Sequence, residues 1–142
     1  MLLEVGMTLL VGFRIASQLW HNPQNVQITN NVSYANQHGI VVGADRKHGH
    51  IVKNVTVSNN IFANNEQYGM RDMGNQGSGI TYTNNVVYGN KRNLGLSMKN
   101  KQSGMVNTNP GFVNPAAGNF SLHSSSAAAQ MGAGLKPMGR CP

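Results

Sequence analysis

Acidic residues are scarce in this chain. Its 142 residues hold four Asp and Glu against eleven Lys and Arg, a formal net charge of +7 with His neutral. So few carboxylates argue against an all-protein calcium cage, which draws on several of them. Cysteine is scarcer still: Cys141 stands alone, so an internal disulfide and a Cys-based metal site are both excluded. Charged residues make up only 11%, too few for a chain kept disordered by its own charge. No apolar run is long enough to span a bilayer. The opening MLLEVGMTLLVGF is too short, is broken by Glu4 and has no base before it, so it is read neither as a membrane span nor as a signal peptide. The bases are scattered rather than gathered into a stripe with interleaved aromatics, which argues against nucleic acid as partner. The excess positive charge still favours a polyanion. Against these shortages stand 20 Asn and 17 Gly. Both are poor helix formers, so a helical bundle or coiled coil is excluded. The length suits one domain with a real core.

The abundant residues are arranged in a repeat. Asn25 opens NVQITNNVSYANQHGIVVG, Asn54 opens NVTVSNNIFANNEQYGMRD, and Gly79 opens GITYTNNVVYGNKRNLGLS. The Asn-Asn pairs 30–31, 59–60 and 84–85 recur at periods of 29 and 25, and Asn36, Asn65 and Asn90 each follow six positions after the first of a pair. A Gly closes each unit at 39, 69 and 95. Apolar residues alternate with polar ones: Val26 and Ile28, Val55 and Val57, Ile80 and Tyr82, with Gln, Thr and Ser between. Period two predicts a strand with one buried face. A second strand is expected at Val32, Ile61 and Val86, and a third around Ile40, Met70 and Leu96. Short strands in a unit of this length, without helix, predict an all-β, right-handed parallel β-helix.

In such a stack Asn serves two needs. It tolerates the left-handed backbone of a sharp turn, and its amide can bond the Asn in the layers above and below. Asn30, Asn59 and Asn84 are therefore expected to form a ladder, with Asn109 as fourth member. The organisation read from the sequence is residues 1–24 as the remnant of a preceding coil and a long loop, 25–104 as three coils, and 105–142 as a last partial coil, a cap and a frayed tail. Residues 1–6 are matched to the third strand of a coil, as in a fragment of a longer protein, and this bare edge is expected to self-associate.

The segments NVQITNNVSYANQHGIVVG, NVTVSNNIFANN, ITYTNNVVYGN and NPGFVNPAAGNFSL resemble the right-handed parallel β-helix proteins of the pectate-lyase-like superfamily, over residues 25–125. The resemblance implies the C-terminal part of a secreted or cell-surface protein that acts on polysaccharide. A lyase on acidic, uronate-containing polysaccharide is the leading reading; a non-catalytic carbohydrate-binding or structural module is the alternative. Calcium occurs in the family, but the scarcity of acids favours no cofactor here.

The candidate site follows from where the titratable residues gather. The longest insertion, GADRKHGHIVKN at 43–54, carries Asp45, Arg46, Lys47, His48, His50 and Lys53. Aligning the closing glycines puts Val41, Arg71 and Ser97 in one outward column, with Glu4 two coils away and Lys99 on the same face. β-Elimination from a uronate needs a group to neutralise the carboxylate, a base for the C5 proton and an acid at the leaving oxygen. Lys47, His48 and Arg71 are the catalytic candidates; Asp45, Arg46, Lys53 and Lys99 are the substrate-binding ones. Asp72 is expected to point inward and to need a partner. Tyr68 and Tyr88 are assigned to packing.

Overall fold

A computed structural model describes residues 3–6, 9–12, 15–19, 23–43, 49–73, 77–97 and 100–135. The strands come in triplets. The first is β1 (Leu3–Gly6), β2 (Leu9–Val11) and β3 (Ile15–Leu19); the second is β4 (Gln24–Thr29), β5 (Val32–Tyr34) and β6 (His38–Val42). The third is β7 (Val52–Ser58), β8 (Ile61–Ala63) and β9 (Tyr68–Asp72), and the fourth β10 (Gly77–Thr83), β11 (Val86–Tyr88) and β12 (Arg92–Gly95). β13 (Lys101–Ser103) precedes a hairpin of β14 (Phe112–Asn114) and β15 (Asn119–Leu122), and then a four-residue helix, α1 (Ala127–Gln130). Each strand pairs in parallel with its counterpart in the next triplet. This gives three stacked sheets, ordered β1-β4-β7-β10-β13, β11-β8-β5-β2 and β12-β9-β6-β3. The fold is all-β, built mostly of parallel strands, and compatible with a parallel β-helix.

The alternating pattern sets the register. Val26 pairs with Val55 and Val55 with Ile80, while Ile28 pairs with Val57 and Val57 with Tyr82. All six are buried, and they share one core cluster with Ile40, Val42, Val52, Phe62, Met70 and Val87. Complete burial of such a side chain is worth about 1.5–3 kcal/mol, so a one-residue slip that exposed this column would be prohibitive. Leu96 and Met105 pack against the same cluster.

The Asn pairs divide the two roles that the sequence reading gave to one residue. Asn30, Asn59 and Asn84 have φ of 57°, 57° and 54°: they supply the left-handed corner, and Gly104 (φ 63°) supplies the next. The stacked amides belong to the second residue of each pair. Asn60 Oδ1 accepts from the backbone N and Nδ2 of Asn31, both at 2.9 Å, and Asn60 passes the pattern on to Asn85 Oδ1 at 3.0 Å. The ladder stops where Met105 Sδ takes the Asn85 amide at 3.7 Å. Asn109, expected as a further member, instead accepts from Gly111 N within its own turn. A second ladder runs through the third marker: Asn36 N donates to Asn65 Oδ1 at 3.0 Å, and Asn65 donates to Asn90 Oδ1 at 2.8 Å. Asn90 in turn donates to Asn93 Oδ1, so Asn93 closes this row from within its own layer.

Residues 1–6 do not take the place expected of them. β1 pairs with β4 through Leu3↔Val26, which makes it the first strand of a triplet rather than the third. The alternation of Leu3 and Val5 about Glu4 matches that of Val26 and Ile28 about Gln27, which is the register observed. Met1 and Leu2 lie outside the described residues. Beyond Gly104 the chain adds Val106 as a single parallel bridge to Val86 and then leaves the stack. The part of the tail expected to fray, Ser124–Leu135, is packed. Phe120, Ala128 and Ala133 are buried with Val32, Ile61, Ala63 and Val86, against the side of the second sheet. Asn30 Nδ2 donates to Gly132 O (2.8 Å) and Gly134 O (3.0 Å), and Gly134 N donates to Asn59 O (2.9 Å). The small residues that suggested low complexity are what permit this approach: a Cβ on Gly134 would lie 2.6 Å from Ile61 Cδ1. Residues 136–142 lie outside the described residues.

The two Asn roles respond differently to mutation. Asn60 is fully buried and bonded on both sides. Asn60→Leu is expected to cost about 2–4 kcal/mol, because it orphans polar groups on both neighbouring layers. Asn59→Gly keeps the left-handed corner and is expected to cost less than about 1 kcal/mol. Urea denaturation of both variants checks this; equal losses would contradict the division of roles.

Candidate functional site

Among the described residues, the densest grouping of chemistry-bearing side chains lies on the third sheet. Its register puts His38, Tyr68 and Arg92 in one row, through His38↔Tyr68 and Arg92↔Tyr68. Three residues further along the strands, Val41, Arg71 and Gly95 form another row. The His38 and Tyr68 rings stack with centroids 5.9 Å apart and planes 20° from parallel. Two guanidinium groups address the same phenol ring: Arg71 Cζ lies 5.1 Å and Arg92 Cζ 5.8 Å from its centroid. Arg92 Nη1 also donates to the Tyr68 hydroxyl at 3.0 Å. A cation near an aromatic face gains about 0.5–1 kcal/mol at exposed sites, enough to bias rotamers without neutralising the charge. Gly95 makes room for this arrangement, since a Cβ there would meet Tyr68 Cε1 at 2.5 Å.

His38 is 8% exposed, and its Nδ1 is buried without a hydrogen-bond partner. Burial pushes the imidazole below its ordinary pKa of 6.5, and the charge of Arg71 lowers it further. The imidazole is therefore neutral at pH 7.

Arg71 thus sits in a cluster, but a different one from that expected. Gly69 and Gly95 are not equivalent. The register sets Arg92 opposite Tyr68 and Leu94 opposite Met70, so Gly69 falls opposite Asn93, two residues before Gly95, and Arg71 pairs with Gly95 rather than Ser97. Ser97 leaves the column and donates its backbone N to Asp72 at 3.0 and 3.1 Å. Glu4 leaves it too, lying on β1 opposite Gln27 in the first sheet. Aligning on the ladder residues Asn65 and Asn90, rather than on glycine, would have set Asn93 opposite Tyr68, one residue from its partner Arg92.

Of the predicted site residues, Arg71 lies on β9 and Lys53 on β7, in different sheets. Lys53 is exposed, pairs with Gln24 and Ser78, and donates its backbone N to Pro23 O at 2.9 Å. Asp45, Arg46, Lys47, His48 and Lys99 lie outside the described residues. His38 and Arg92 were missed by the sequence reading, and Tyr68 was assigned to packing alone.

Asp72 has the inward, partnered environment expected of it. It is 8% exposed and accepts from Asn100 Nδ2 (2.7 Å), Ser97 N and the Tyr82 hydroxyl (3.3 Å). Burial and the adjacent Asp72 push the Tyr82 phenol well above its ordinary value. Asp72 is therefore a fastener of the turn after β12. Glu66 is exposed on the turn before β9, and Glu4 lies on β1 in the first sheet. Among the described residues no three His, Cys, Asp or Glu gather as metal ligands.

No protein-family model, curated protein or solved structure matches the chain.

The lowered His38 pKa has a consequence for stability. The unfolded chain binds a proton near pH 6.5 while folded His38 resists it, so the His38 contribution is intact above that pH and lost as pH falls through the window below it. The wild-type urea midpoint is expected to drop between about pH 7.5 and pH 5.5, and to drop less in His38→Gln. An identical drop in both proteins would show that His38 is not the titrating group.

Proposed function

We propose that this chain is a right-handed parallel β-helix of the pectate-lyase-like kind, and that it recognises acidic polysaccharide on the outer face of β6, β9 and β12. The stacked parallel sheets support the architecture, and the strong preference of parallel crossovers supports the hand. The observation that carries the function is the pair Arg71 and Arg92, both gathered at the Tyr68 ring. Neither guanidinium makes an ion pair with a described residue. Two such cations in adjacent layers suit the carboxylates of a uronate chain, which a guanidinium grips through two parallel hydrogen bonds.

The family resemblance adds elimination chemistry to this binding. In that reading Arg71 neutralises the uronate carboxylate and lowers the barrier to removing the C5 proton. Lys47 or His48, from the 43–54 insertion, takes the proton and returns it to the leaving C4 oxygen as the C4–O bond breaks and the C4=C5 double bond forms. Asp45, Arg46, Lys53 and Lys99 hold neighbouring sugars. The protein would be the C-terminal β-helix portion of a secreted lyase, working without a cofactor. The alternative is a carbohydrate-binding module. It keeps the Arg71–Arg92 face and lacks the chemistry.

Titration with polygalacturonate and with a neutral glucan, each at two salt concentrations, tests the reading. Salt-sensitive binding to polygalacturonate alone is expected, weakened roughly tenfold or more by Arg71→Ala and less by Arg92→Ala, whose guanidinium is more exposed. Ultraviolet absorbance from unsaturated products would mark a lyase; binding without it would mark a binding module. Equal affinity for both glycans, or none for either, would sink the acidic-polysaccharide reading.

A further inference from the structure

The His38 side chain has no part in carboxylate binding as described above, yet its surroundings couple it to any anion held there. It is more than nine-tenths buried, its Nδ1 has no hydrogen-bond partner, and its ring lies flat against the phenol that Arg71 and Arg92 address. We infer that an acidic ligand bound at Arg71 and Arg92 is taken up together with a proton at His38, so that this face binds uronate more tightly in mildly acidic solution. The inference rests on the acidic-polysaccharide reading and adds a regulation to it.

The argument is one of charge balance. The described charged and titratable groups around His38 are few. β3 pairs with β6 through Ile15 and carries no titratable residue from Ile15 to Leu19. β9 contributes Tyr68 and Arg71, and β12 contributes Arg92. Glu66 stands exposed on the turn that enters β9. The free site is thus positive, and positive charge together with burial keeps the imidazole neutral. A carboxylate on the guanidinium groups cancels that field at close range. Protonation of His38 then meets less repulsion, and the imidazolium gains attraction to the new anion. By linkage, whatever raises the proton affinity of His38 on binding makes binding stronger as pH falls between its free and bound pKa values. The carboxylates of a uronate polymer stay ionised across that range, so the ligand's own charge is not the variable.

The test is calorimetric titration of polygalacturonate fragments near pH 6, at constant ionic strength, in two buffers of different ionisation enthalpy. Net proton uptake is expected, with affinity roughly three- to tenfold higher near pH 5.5 than near pH 8. His38→Gln should still bind, with the uptake abolished and the pH dependence flattened. In case that variant does not fold, the wild-type His38 ring signal followed by NMR through a pH titration, with and without fragments, gives the same answer: its midpoint should move upward on binding. Binding without proton uptake, uptake retained in His38→Gln, or an unmoved midpoint would overturn the inference and leave acidic-polysaccharide recognition standing. Failure to bind at any pH would overturn both.

Discussion

Everything in this structure depends on burying polar amides in register. A stack of short parallel strands must turn a corner every few residues, and each corner brings backbone groups and polar side chains into the interior. An unpaired buried amide costs several times what a formed hydrogen bond returns. The ladders Asn31–Asn60–Asn85 and Asn36–Asn65–Asn90–Asn93 answer this by making each amide the partner of the next. That solution works in one register only. It therefore fixes the layers relative to one another as firmly as the apolar column Val26, Val55 and Ile80 does.

The ends of the ladders show the same constraint at work. Where no further Asn follows Asn85, Met105 sulfur takes its amide. Where none follows Asn90, Asn93 turns back from three residues on. The second sheet shows the apolar version. Its row Val32, Ile61 and Val86 would face water, and the C-terminal hairpin and helix lie over it through Phe120, Ala128 and Ala133. The described residues thus enclose one apolar cluster among the three sheets and another between the second sheet and the C-terminal segment. The third sheet carries the cluster of Arg71 and Arg92 about Tyr68.

The first strands were legible in the sequence because strict alternation has a single physical meaning. Val26, Ile28, Val55, Val57, Ile80 and Tyr82 are buried as that alternation requires. The Asn markers were legible too, but spacing alone could not say which member of a pair bends the chain and which one stacks. The candidate site was harder to read. Glycine looked like a fixed marker, but the counterpart of Gly69 is Asn93, so an alignment on Gly95 is two residues out. The observed register separates Arg71 from Ser97 and brings Arg92 to Tyr68. The packing of Ser124–Leu135 was hidden for another reason: Ala and Gly look featureless in a sequence, while in the structure their small size is what fits them against Ile61 and Val32.

The account makes the Arg71–Tyr68–Arg92 surface the place where the chain meets its ligand. NMR mapping with a short oligogalacturonate tests this most directly, because it locates contact independently of affinity or turnover. The largest perturbations are expected at the Tyr68 ring and at the guanidinium groups of Arg71 and Arg92, spreading to His38. Perturbations confined to the outer face of the first sheet, around Thr56 and Thr81, or to the C-terminal hairpin, would contradict it.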